Sequence, residues 1–125
     1  MLTDAEIDAL EGEALDKAVA EYVMGETQPN SIHPPHIDYM HFGDAWYCLP
    51  EYDDGDICEW KPAPFSDNIL DSWPLVVKYC MSVVPYRDGH WHVSDGNIIA
   101  FGDTAPIAIC RGALKVVMDA IMGPD

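Results

Sequence analysis

Six of the ten prolines fall between positions 29 and 64 (Pro29, Pro34, Pro35, Pro50, Pro62 and Pro64), and each removes a backbone donor and fixes φ near about −65°. No ordinary helix and no central strand runs through such a stretch. Regular structure must therefore lie on either side of an irregular middle, residues 26–63. Within that middle, short strands are expected at 45–49 and 57–60, separated by an Asp- and Gly-containing turn at 50–56.

On the N-terminal side, Thr3 and Glu6 form a capping box. Ile7, Leu10, Ala14, Ala18 and Tyr22 then follow at helical spacing, with Leu15, Val19 and Val23 widening the stripe. The spacing predicts one helix over about 3–24, closed by Gly25 and weakened at Gly12 by about 1 kcal/mol relative to Ala. After the middle, capping residues at 64–68 lead into Ile69, Leu70, Trp73, Val76, Val77 and Cys80, a second helix ending near Met81. Pro74 fits it if the helix restarts at Ser72 and holds Pro74 in its first turn. Strand character follows at 83–86, 91–93 and 98–101, with turns at Asp88-Gly89 and Asp95-Gly96-Asn97. A last helix begins at 103–106 and presents Ile107, Cys110, Leu114, Val117, Met118 and Ile121 on one face, with Arg111, Lys115 and Asp119 on the opposite side; Gly123-Pro124 ends it. The aromatics Trp73, Trp91 and Phe101, together with Trp46 and Trp60, are expected in the core. The order argues for an α+β fold with an antiparallel sheet packed between helices, an α/β/α sandwich-like single domain over residues 1–125.

The chain carries 22 acidic and 6 basic residues, a net charge of −16. Residues 1–60 hold 15 acids against Lys17 alone, a net of −14, and residues 61–125 hold 7 acids against 5 bases, a net of −2. That field repels phosphate backbones and anionic lipid, so no direct nucleic-acid and no membrane partner is expected. No segment approaches the roughly 20 apolar residues that span a bilayer, and the acidic start does not read as a signal peptide. A cytoplasmic location with reduced thiols at Cys48, Cys58, Cys80 and Cys110 follows as an expectation.

Three blocks resemble a known family. They are 15–25 (LDKAVAEYVMG), Pro64-Phe65-Ser66-Asp67 with Trp73-Pro74-Leu75-Val76-Val77-Lys78, and 103–114 (DTAPIAICRGAL). In this order they are similar to the opening, the middle helix and the closing helix of the phage ABA-sandwich proteins, small phage-encoded proteins of largely unknown function. Pro74 and Gly112 depart from the pattern, and residues 26–63 match none of it. The resemblance implies a sheet between helices, homo-oligomers and a phage origin, hence the host cytoplasm. It implies no catalytic residue.

The residues themselves offer no complete catalytic signature, and neither G-x-S-x-G nor H-E-x-x-H occurs. A non-enzymatic protein without a cofactor is therefore expected. His33, His36, His41, Cys48 and Cys58 are the residue types that hold zinc, with His36, His41, Cys48 and Cys58 the nearest to a set. The nine residues between the cysteines do not match a zinc knuckle, and packed or solvated side chains account for them better, so no metal is expected there. His90 and His92 would share one side of a strand. Asp53, Asp54 and Asp56 lack the closing Glu of a calcium loop. Anion binding would draw on Arg87, Arg111, Lys115, Lys61 and Lys78 with the helix starts at Ser66 and Thr104. A base would stack on Trp46, Tyr47 or Trp60. Three functions are consistent with these features: sequestration of a small nucleotide-type host immune signal at oligomer interfaces as a counter-defence, mimicry of nucleic acid to inhibit a basic host protein, and a structural or regulatory phage oligomer.

Overall fold

The computed structural model of the protein describes residues 2–29, 40–48 and 60–122. Their elements are α1 (Asp4–Ala9), α2 (Gly12–Ala18) with a π-helical turn at Val19–Val23, β1 (Met40–Phe42), β2 (Trp46–Cys48), β3 (Lys61–Pro62), α3 (Ile69–Tyr79), β4 (Ser82–Pro85), β5 (Trp91–Ser94), β6 (Ile99–Gly102) and α4 (Ala105–Met122). The strands form two antiparallel sheets, in the orders β1-β2-β3 and β4-β5-β6. The class is α+β.

The N-terminal helix is two helices, not one over 3–24. The capping box forms as the sequence predicts, with Thr3 and Glu6 each accepting the other's backbone N–H. The chain then turns extended at Leu10 and Glu11, and Gly12 adopts φ +55°. Gly12 is thus a break point where a left-handed backbone is cheap for glycine. The extended Leu10 carbonyl is taken by Arg111 Nη2 at 3.0 Å.

The second helix starts at Ile69, where the Asn68 side chain accepts the Leu70 N–H at 2.9 Å. It does not restart at Ser72, and Pro74 sits in its interior. Ser72 instead donates both its N–H and its hydroxyl to the Asn68 carbonyl. Cys80 ends the helix in the left-handed conformation, φ 52°. The inward face is Ser72, Leu75, Val76 and Tyr79. Trp73 is 49% exposed, Leu70 81% and Val77 68%, so the stripe read as core from the sequence is largely the outer one.

The meander β4-β5-β6 has the expected turns. Asp88 Oδ1 accepts the His90 N–H, and Asp95 Oδ1 accepts those of Asn97 and Ile98, which are side-chain mimics of a backbone turn. The strand alternation points Val93, Ala100 and Gly102 toward α4 and leaves Val84, Tyr86, Ile99 and Phe101 outside. Phe101, expected in the core, lies edge-on against His92 with ring centroids 4.1 Å apart. Small residues face the helix because β6 and α4 approach closely. A Cβ on Gly102 would meet the Ala108 backbone nitrogen at 2.5 Å.

The core centres on α4, against which β5 and β6, α3, α1 and the π-helical turn all pack. Ala108, Ile109, Cys110, Ala113 and Leu114 are wholly buried. Arg111 and Lys115, expected on the side opposite the apolar face, are instead drawn into the packing. Lys115 is buried, and both cations reach along their apolar stems to groups on neighbouring elements. Ile121, by contrast, is exposed.

In the smaller sheet the strand expected at 45–49 appears as β2. Its described partners are β1 and β3, with Trp46 opposite Pro62 and Tyr47 opposite Lys61. Trp60 precedes β3 instead of belonging to a strand, and residues 57–59 of the expected partner lie outside the described residues. The sheet is tied to residues 26–28 by the Trp46 indole N–H to the Glu26 carbonyl at 2.9 Å and by the Gln28 amide to the Trp60 carbonyl at 3.0 Å.

Candidate functional site

The cations singled out from the sequence are mostly engaged inside the fold. Arg111 donates to the Phe101 and Leu10 carbonyls, each at 3.0 Å, bridging β6 to the α1–α2 junction. Lys115 lies one turn on. Its ammonium is 2.8 Å from Asp8 Oδ1 and donates to the Ile99 carbonyl at 3.1 Å. Lys61 is 3.6 Å from Glu13, and Lys17 stands 4.0 Å from Glu21. Lys78 sits over the Tyr79 ring at 5.4 Å. Arg87 is exposed on the β4–β5 turn. Among the described residues these groups do not converge on one place.

Nor are the helix starts open. Ser66 is buried, and its N–H donates to Asp16 Oδ1 at 2.6 Å, so a carboxylate of the chain already fills the place an anion would take. Thr104 Oγ1 accepts the Ile107 N–H of α4 itself. Trp46 and Trp60, proposed as stacking faces, are 1% and 6% exposed and belong to the core. Tyr47 is half-buried on β2.

His36, Cys58 and His33 lie outside the described residues, as do Asp53, Asp54 and Asp56. His41 and Cys48 fall on β1 and β2, where His41 pairs with Tyr47 and Cys48 with Met40. Among the described residues no group of three or more His, Cys, Asp or Glu is placed to hold a metal. His90 is held between Asp88 (3.2 Å) and Asp103 (3.4 Å), and His92 between the rings of Tyr86 and Phe101. Cys80 and Cys110 are free thiols, and burial, with the nearby Asp16 charge, pushes the Cys110 thiol far above its ordinary range. A buried thiol so shifted is not a nucleophile.

Among the described residues a hollow of about 150 Å³ lies on the outer face of the meander beside Val84, Tyr86 and His92, and a larger groove of about 280 Å³ lies between the end of the π-helical turn and the first half of α3. Met24, Phe65, Leu70, Pro74 and Leu75 line it, with the carboxylates of Asp44 and Asp71 at its edges. Asp44 is fixed by its own backbone N–H, which donates to Glu26 at 3.0 Å. Gly43 permits this because the Glu26 carboxylate occupies the place where a Cβ would stand, and φ there is +63°. Neither Asp44 nor Asp71 pairs with a cation among the described residues. Continuing from the groove, Leu70, Trp73 and Val77 form an exposed apolar ridge along α3. The sequence signal was present, since α3 is apolar on two faces and one helix cannot bury both against a single neighbour.

No protein-family model and no curated protein matches the chain. Among solved structures the chain is similar to a phage protein from Bacillus cereus ATCC 14579, with 23% identity, 86% of this chain and 92% of that one covered, and a TM-score of 0.48. The resemblance to phage ABA-sandwich proteins accordingly rests on the three sequence blocks. Among the described residues no helix is long and apolar enough to cross a membrane.

Proposed function

We propose that this chain is a phage accessory protein without catalytic activity that acts by binding a basic host protein, its acidic surface taking the place of a nucleic-acid phosphate track. The supporting observation is the fate of the cations. Four of the six Lys and Arg side chains, Lys17, Lys61, Arg111 and Lys115, are satisfied by carboxylates or carbonyls of the chain itself. The chain's formal net charge is −16, and among the described residues little basic surface is left free to balance it. Such a field accelerates encounter with a positive partner and disfavours phosphate ligands. Phage origin enters through the three motif blocks of the sequence.

Sequestration of a small nucleotide ranks second, since it needs free cations beside free aromatic faces, and Arg111, Lys115, Trp46 and Trp60 supply neither. The test is affinity capture from host lysate at low and high salt, with identification of what is retained and displacement by duplex DNA. Basic nucleic-acid-binding proteins, released by salt and displaced by DNA, are the expected catch. Retention indifferent to both, or calorimetric binding of cyclic di- or trinucleotides with no basic protein captured, overturns the reading.

A further inference from the structure

Resting on that reading, we infer that the groove beside α3 and the ridge that continues it form the docking surface, and that the occupant is a basic amphipathic helix of the partner. The ridge repeats at Leu70, Trp73 and Val77, three- and four-residue steps covering about 10.5 Å of helix. A partner that presents apolar side chains at the same pitch is itself a helix, the helix-in-groove mode of recognition. Trp73 is the natural anchor, because large aromatic side chains carry much of the energy at interface centres.

Charge selects which amphipathic helix fits. The groove has an apolar floor from Met24, Phe65, Pro74 and Leu75, and two carboxylates, Asp44 and Asp71, at its rim. An Arg or Lys of the partner lays its methylene stem on that floor and its cationic head against the rim, which matches an amphipathic side chain at both ends. Glu26, next to Asp44, and Asp67, on the turn entering α3, add to the negative field. An acidic or neutral helix meets the same apolar ridge but is turned away or gains nothing at the rim.

The experiment uses the full chain and synthetic helical peptides of about 18 residues, long enough to hold helix when bound. One carries Leu at i, i+3, i+4 and i+7 with Arg on the flanks. A second scrambles the same residues, and a third replaces Arg by Gln. Binding is read by calorimetry and by protection of tryptophan fluorescence from acrylamide, to which Trp73 is more open than the buried Trp46 and Trp60. Expected is binding of the first peptide, weakened about tenfold by D44N/D71N at low salt and less at high salt. L70S/W73S, exposed positions that leave folding intact by thermal melt, weakens it about tenfold or more at either salt. D119N on α4 changes nothing beyond twofold.

Equal affinity for the scrambled peptide, or binding unmoved by both groove variants, overturns the docking surface while leaving an acidic, salt-sensitive inhibitor standing. Equal affinity for the Gln peptide overturns the requirement for a cation. Failure of any Arg-bearing peptide to bind at low salt overturns both this inference and the reading on which it rests.

Discussion

Asp16 offers a direct measurement of what holds the turn before α3 in place. It is 7% exposed, and its Oδ1 accepts the Ser66 backbone N–H at 2.6 Å, which ties residues 64–68 to α2. Burial raises its pKa, the bonds from Ser66 oppose that shift, and the charges of Asp67 and Glu13 reinforce it. With the folded-state pKa raised, the neutral acid is the form the fold prefers. Its stabilising contribution is therefore complete below the pKa of an unfolded Asp and is lost as pH rises through the folded-state value. Asp16→Ala strands a buried N–H, which costs about 1–3 kcal/mol. Asp16→Asn keeps an acceptor and removes the ionisation. It loses about 1 kcal/mol of charge assistance and recovers a comparable amount from no longer ionising a carboxylate beside Glu13 and Asp67, so it lies within about 1 kcal/mol of the parent at neutral pH. Urea unfolding followed by circular dichroism between about pH 3 and pH 8 decides the matter. Expected is a difference between Asp16→Asn and the parent that moves in favour of Asn as pH climbs above about 4. A parent that gains on Asp16→Asn with rising pH, or an Asp16→Ala variant within about 0.5 kcal/mol of the parent, refutes this account.

Three further outcomes are expected. Arg111→Lys destabilises the fold by about 1–3 kcal/mol in the same assay, because one ammonium cannot span the Phe101 and Leu10 carbonyls that the guanidinium fork joins. Gly102→Ala costs more than Gly112→Ala in chemical denaturation. At 102 a Cβ meets the Ala108 backbone nitrogen at 2.5 Å, whereas at 112 it meets the Val93 Cγ1 at 2.8 Å, and there about 1 kcal/mol of helix propensity offsets an overpacking cost of about 1–3 kcal/mol. Cys80→Gly raises the melting temperature, since a left-handed residue at φ 52° costs a side chain about 1 kcal/mol that glycine avoids.

Local signals were the ones the sequence made legible. The Thr3–Glu6 capping box and the turns at Asp88-Gly89 and Asp95-Gly96-Asn97 each depend on residues within three or four positions, and each forms as read. The α+β class followed from their order. Decisions taken at long range were not legible. Gly12 interrupts an apolar stripe that continues on both sides of it, and at that break Arg111 reaches across from α4 to the Leu10 carbonyl, a contact no local pattern announces. On α3 the periodicity of Leu70, Trp73 and Val77 is as good as that of Ser72, Leu75, Val76 and Tyr79, and only the position of α4 decides which face is covered. Arg111 and Lys115 were set opposite the apolar face of the last helix because charge alone says nothing about carbonyls waiting on β6. The groove brings Met24 and Asp44 together with α3, segments 20 or more positions apart, so no short motif announced it.

The same two features that make a binding surface also constrain how the protein behaves with itself. Exposed Leu70, Trp73 and Val77 on one side, and Val84, Tyr86, Ile99 and Phe101 on the other, are apolar patches of the kind that bring copies together. A charge of −16 on each copy opposes that contact at ranges set by the screening length, about 30 Å at 0.01 M salt and about 3 Å at 1 M. Salt therefore acts with opposite signs on the two associations: it releases repulsion between copies and weakens attraction to a cationic partner. The neutral sheet face, which presents no carboxylate among Val84, Tyr86, Ile99 and Phe101, gains most from screening. The α3 groove, rimmed by Asp44 and Asp71, loses most. At low ionic strength the acidic field thus keeps apolar anchors available to a basic partner while holding further copies of the chain away from them.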